Sequence, residues 1–171
     1  MIMHVEVGAS LAKEKKVKTN AVRLLDQQKI KYNLLEYTIE DHRIDGITVA
    51  NKTGQPVAHV FKTLVATAGA GKYFVFVIPV SAELNLKTCA KVVEEKKIEM
   101  LHVKDLLPTT GYIRGGCSPI GMKKQFPTYI DESAVSLDYL IVSAGKIGLQ
   151  VQLNPHDLVS ITHANFSKLT V

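Results

Sequence analysis

Residues 57–80 constrain the fold more than any other stretch. "VAHVFKTLVAT" and "KYFVFVIPV" are runs rich in β-branched and aromatic residues, joined by "AGAG". Such runs favour extended chain, and a small glycine-rich link lets the chain reverse at once, so the pair predicts a β-hairpin. One residue breaks the pattern. Lys62 lies in a strand otherwise apolar or small, and by the two-residue period it shares a face with Val60 and Leu64. Its ammonium must either reach water from an edge strand, where it blocks aggregation, or sit in a cleft aimed at an anionic group.

The flanking sequence alternates between helical and extended signals. "KTNAVRLLDQQKIK" predicts a helix capped by Thr19 or Asn20, with Ala21, Leu24, Leu25 and Gln28 on one side. "YNLLEYT" predicts a short strand, and residues 40–56 a short helix ending near Gly54 and Pro56. In "ELNLKTCAKVVEEKK", Leu86, Cys89, Ala90 and Val93 recur at helical spacing, which puts Cys89 in the core. "VKDLLPTT" reads as a short helix or turn, and "GYIRGGCSPIG" as a strand entering a Gly/Pro loop. "PTYIDE", "LDYLIVSA" and "LQVQL" are further strands, with "GKIG" turning the chain before the last. "NPHDLVSITHANF" closes the chain as a helix, with Asn154 as cap and Pro155 in its first turn. Hairpins outnumber βαβ crossovers. The expectation is an α+β single domain over residues 17–171, with a mixed, largely antiparallel sheet and flanking helices. Residues 1–16 are expected to be a flexible leader or arm.

Composition narrows the function. The chain of 171 residues has no apolar run long enough for a membrane span and no secretory signal pattern. Its two cysteines, Cys89 and Cys117, form no CxxC pair, so a cytoplasmic protein is expected. The formal charge of +5 suits an RNA partner and suits a merely basic protein equally. Tryptophan is absent and aromatics are sparse, which argues against a module that reads RNA by stacking. The six histidines show no HxxxH spacing, and neither a Walker A motif nor a GxGxxG fingerprint is present. No metal or other cofactor is expected, and no membrane or DNA partner.

The densest segment is "IRGGCSPIGMKK". Paired glycines let backbone approach a ligand closely, and free amides there can stabilise an oxyanion. An ordinary Gly/Pro turn has the same composition. Cys117 and Ser118 are potential nucleophiles, but each needs a base, and no histidine can be assigned to either.

Taken in order, "VFKTLV", "YIRGGCSPIGMKKQFPTYID" and "LIVSAGKIGLQVQLNPHDLV" resemble the YbaK/EbsC family of aminoacyl-tRNA deacylases, related to the editing insertion of bacterial prolyl-tRNA synthetases. The resemblance covers roughly residues 17 to 168. It is nearest to the branch acting on mischarged Cys-tRNA(Pro), and it implies a trans-editing enzyme that works without a cofactor. It implies that Lys62 is the essential lysine, followed by Thr63, and that Gly115 to Pro119 form the family's GxxxP loop. Catalytic roles then fall to Lys62, Gly115 and Gly116. Tyr37, Thr63, Cys117, Ser118, Pro119 and Ser143 would contact the aminoacyl end. Ala144 replaces the usual first glycine of the following turn, and Gln150 stands where some relatives carry aspartate. Cys117 stands where apolar residues are common, which makes it pocket wall rather than nucleophile. In the cysteine-specific branch the substrate's own thiol attacks its ester carbonyl, releasing a thiolactone. Lys87, Lys91, Lys123 and Lys124 are expected to meet tRNA phosphates, and prolyl-tRNA synthetase is a candidate working partner. Two alternatives stay open: deacylation of another mischarged tRNA by a positioned water, and a non-catalytic tRNA-binding or regulatory module.

Overall fold

The computed structural model describes residues 18–39, 41–43 and 45–171; the expected leader, residues 1–16, lies outside them. Helix α1 spans Asn20–Gln27. Thr19, in extended conformation, accepts the Val22 N–H, and Ala21, Val22 and Leu25 turn inward. Gln28, expected on the inner face, is instead the exposed C-cap, because the left-handed Lys29 stops the helix after two turns. Strand β1 covers Asn33–Glu36. Helix α2, Gly46–Thr53, starts on the Asp45 cap and stops at the left-handed Gly54.

The predicted hairpin forms β2 (Phe61–Gly69) and β3 (Lys72–Pro79), in register from Phe61↔Pro79 to Thr67↔Tyr73. Residues 57–59, read as strand, form a 3-10 turn instead. Helix α3 spans Leu86–Val92 and ends sooner than its charge pattern suggests. Glu94 is left-handed, and the Glu95 amide folds back onto the Ala90 carbonyl at 2.8 Å. Cys89 and Ala90 pack beneath it against Phe74, Phe76 and Ile78, while Leu86 lies exposed. Strand β4 (Glu99–Met100) and helix α4 (Val103–Thr110) follow.

The expected strand over "GYIR" is absent. Tyr112 donates its amide to the Thr110 hydroxyl and its own hydroxyl to the Ile120 carbonyl, so side chains, not a ladder, fix this segment. Strands β5 (Thr128–Asp131), β6 (Leu140–Lys146) and β7 (Leu149–Leu153) lead to helix α5 (Pro155–Thr162), capped by Asn154. His163 is left-handed and ends α5, so residues 165 and 166, read as the end of the helix, open strand β8 (Asn165–Ser167) instead.

The α+β domain divides its strands between two sheets. The larger runs β4-β2-β3-β5-β8, with β3, β5 and β8 parallel to one another; the smaller, β1-β7-β6, is antiparallel throughout. An isolated parallel bridge, Val60–Ile141, joins them. The main core lies where α1, α5 and the two sheets meet, around Leu25, Val77, Ile130, Leu140, Val151 and Leu158. Each fully buried aliphatic side chain there contributes ~1.5–3 kcal/mol. No helix among the described residues is long and apolar enough to cross a membrane.

Candidate active site

The site follows from how β2 is covered. On one side β3 pairs with it throughout. On the other, among the described residues, β6 bridges only at Val60, through Ile141, and β4 pairs only with Ala66 and Thr67. The edge between is open. The Val65 carbonyl turns that way to meet the Leu101 amide at 2.9 Å, so by the two-residue repeat the Thr63 backbone faces the gap. The gap is the floor of a cleft of about 940 Å³, lined by Phe61 to Val65. Its walls are Tyr37, the start of α2 from Asp45 to Ile47, the β4–α4 segment, the Arg114–Cys117 loop, and Ser143 with Gln150 on the small sheet.

Six of the expected residues thus converge: Tyr37, Lys62, Thr63, Gly115, Cys117 and Ser143. Lys62 is half-buried, and its ammonium has no hydrogen-bond or ion-pair partner among the described residues. A cation held on a strand without a carboxylate keeps its field for a ligand. Lys62 stands on the stretch of β2 between those two pairings and lines the cleft. Ser143 accepts the Gly145 amide at 3.1 Å. Thr63 Oγ1 and Gln150 Oε1 are buried without a hydrogen-bond partner among the described residues.

The loop divides residue by residue. Gly115 has a φ of 88°, which glycine adopts without strain, and the amides of Gly115 and Cys117 have no backbone acceptor among the described residues. Gly116 corrects the expectation of a catalytic amide. Its N–H bonds to the Ile113 carbonyl at 2.9 Å, and a Cβ there would lie 2.9 Å from backbone atoms of Lys146 and Ile147. It is glycine because the loop lies directly on the β6–β7 turn. Ser118 and Pro119, expected against the substrate, are buried beneath the loop and do not line the cleft. Ser118 accepts the Ile120 amide.

Cys117 is 8 % exposed, among Val65, Val75, Tyr112 and Phe126. Burial pushes its thiol up to about 12, against a smaller opposing pull from the Thr110 hydroxyl. A thiol so placed is neutral near pH 7, and none of the described histidines lines the cleft to deprotonate it. Among the described residues no cluster of histidine, cysteine, aspartate or glutamate suits a metal ion.

The four expected tRNA-contacting lysines lie outside the cleft. Lys87 and Lys91 are exposed on α3. Lys123 reaches the Pro108 carbonyl, and Lys124 is exposed beside it. The sequence reading missed Arg114, an exposed cation at the cleft wall; its signal was its place directly before the paired glycines. It also missed Asp45, whose carboxyl the Thr48 hydroxyl and amide hold below the usual range. Ile47, Met100 and Val103 form an exposed apolar rim that no periodicity announces.

Residues 45–161 match the model of the aminoacyl-tRNA editing domain. The chain belongs to this family. An Enterococcus faecalis protein whose name assigns it as a Cys-tRNA(Pro)/Cys-tRNA(Cys) deacylase, EbsC, is 47 % identical over 161 residues, covering 94 % of this chain and 98 % of that protein. The editing-domain fold recurs in solved structures. One, described as a trans-editing enzyme for prolyl tRNA synthetase, superposes with a TM-score of 0.77 at 20 % identity over 91 % of this chain and 99 % of its own. A hypothetical protein, APE2540, gives 0.80 at 19 % identity, over 89 % and 99 %. At these identities the likeness is one of fold.

Proposed function

We propose that this editing-domain protein deacylates mischarged Cys-tRNA(Pro), using the substrate's own thiol as nucleophile. The observation that carries the reading is a cleft whose described residues hold an unpaired lysine and free loop amides, a thiol kept neutral by burial, and no histidine base. Such a site suits a substrate that brings its own nucleophile. The substrate thiol gives its proton to water, and sulfur bonds to the ester carbonyl carbon. The tetrahedral oxyanion collapses, the carbon–oxygen bond to the ribose breaks, and the ribose oxygen takes a proton from water. Free tRNA and a cysteine thiolactone leave. The protein holds the reactive conformer, and the Gly115 and Cys117 amides meet the developing oxyanion. Lys62 and Arg114 supply the positive charge that receives the anionic 3′ end. The similarity to EbsC supports the cysteine substrate. The likeness to a structure described as a trans-editing enzyme for prolyl tRNA synthetase makes that synthetase the partner to test.

The test is a deacylation panel of Cys-, Pro-, Ala- and Ser-tRNA(Pro). The proposal expects Cys-tRNA(Pro) to be cleared first and by a wide margin. Faster clearance of Ala-tRNA(Pro), which has no thiol, would reject the mechanism and favour a positioned water.

A further inference from the structure

Two polar atoms in the cleft wall have no hydrogen-bond partner among the described residues. Gln150 is 7 % exposed, and its Oε1 has no donor. Thr63 Oγ1 is likewise buried and unpartnered. An unmet buried polar oxygen is costly, so two of them lining one cleft, an amide carbonyl and a hydroxyl, call for a ligand partner. The topology brings them to the same end. Gln150 stands directly opposite Ser143 in the β6–β7 ladder, so their side chains share a face. The Val60–Ile141 bridge joins β2 and β6 in parallel, so Lys62 and Ser143, each two residues further on, lie at the same level. Ser143 and Gln150 therefore present neutral oxygens to the cleft from the small sheet, and Thr63 lines the same cleft from β2.

We infer that Gln150, with Thr63, binds the α-amino group of the aminoacyl ester. This rests on the reading of the cleft as an aminoacyl-tRNA site. The chemistry selects the group. Gln150 Oε1 needs a hydrogen-bond donor, and within the aminoacyl group the α-amine is the donor common to every amino acid, whatever its side chain. An acceptor that is an amide rather than a carboxylate serves both the protonated and the neutral amine. It also leaves Lys62 without an internal ion pair. Gln150 is thus a positioning residue: it fixes the Cα–carbonyl bond by its amine and leaves the side chain free to be read elsewhere.

The test is a binding cycle that needs no turnover. Two hydrolysis-resistant probes are compared, 3′-deoxy-3′-(cysteinylamino)adenosine and its analogue lacking the α-amine. The wild type should bind the first at least ~10-fold more tightly, as expected for a hydrogen bond to a charged donor. Gln150→Leu and Thr63→Val should each shrink that preference, and Gln150→Leu should bring it near one. Gln150→Glu should enlarge it below the pKa of the amine. The same cycle with alanyl probes separates this assignment from the choice of substrate: the amine preference should persist even if cysteine is not the favoured side chain. Equal loss of affinity for both probes in Gln150→Leu would overturn the assignment, as would a wild type that ignores the amine.

Discussion

Replacing Gly116 by alanine tests how the loop is held over the cleft. The new methyl would lie 2.9 Å from Lys146 Cα, Lys146 C and Ile147 N. These are backbone atoms of a hairpin turn, so no side-chain rotation relieves the contact, and either the loop or the turn must shift. Overpacking of this kind costs ~1–3 kcal/mol. For a domain of this length that lowers Tm by roughly 2–12 °C. The greater effect falls on the chemistry. The amides of Gly115 and Cys117 flank the displaced residue, and oxyanion donors act only over a few tenths of an ångström of tolerance. Loss of one such donor typically costs ~10²-fold or more in kcat. Thermal melting combined with single-turnover deacylation separates the effects: kcat should fall by ~10²-fold while tRNA affinity changes little. A Gly116→Ala protein with wild-type Tm and wild-type kcat would refute both the tight packing of the loop and the role given to its amides.

Lys62→Ala should keep its fold, because the ammonium has no internal partner, and should lose ~10²-fold or more in kcat/KM; a near-native rate in the folded variant removes Lys62 from the site. Affinity for tRNA should fall steeply between about 50 and 200 mM salt, and Arg114→Ala should reduce that slope by roughly one phosphate contact, as filter binding would measure. Cys117 makes a prediction for alkaline stability. Its thiol is neutral in the fold up to about 12, whereas an exposed thiol ionises near 9.0, so the stability it contributes is complete below pH 9 and lost as pH rises toward 12. Urea melts of Cys117→Ala should therefore show a shallower decline over that window, and an unchanged slope would mean the thiol is not buried neutral.

Much of the fold was legible because caps and periodicity are local. Thr19, Asn154 and the small-residue link between β2 and β3 each specify their turn or helix end through their own chemistry. The departures come from single residues with left-handed backbone. Glu94 and His163 end helices whose apolar pattern runs on, and neither residue type advertises that conformation. "GYIR" alternates like a strand, yet Ile113 faces solvent and Tyr112 is anchored through its hydroxyl to the Ile120 carbonyl rather than through a ladder. At the cleft, Lys62 was legible as an anomaly within its own strand. Its meeting with Ser143, some eighty residues on, depends on the Val60–Ile141 bridge, which leaves no local trace. Gly115 and Gly116 look alike in sequence. Only packing separates the one that faces the cleft from the one seated on the β6–β7 turn.

The central claim is that the attacking sulfur belongs to the substrate and not to Cys117. Single-turnover deacylation by Cys117→Ala, run side by side on Cys-tRNA(Pro) and Ser-tRNA(Pro), tests it most directly. Alanine is small and neutral, so the loop backbone should survive and most activity on Cys-tRNA(Pro) should remain. The serine substrate, with a weaker nucleophile at neutral pH, should react at least ~10²-fold more slowly with both proteins. A dead Cys117→Ala protein, together with a cysteinyl adduct on Cys117 in the mass spectrum of quenched wild-type reactions, would contradict the claim.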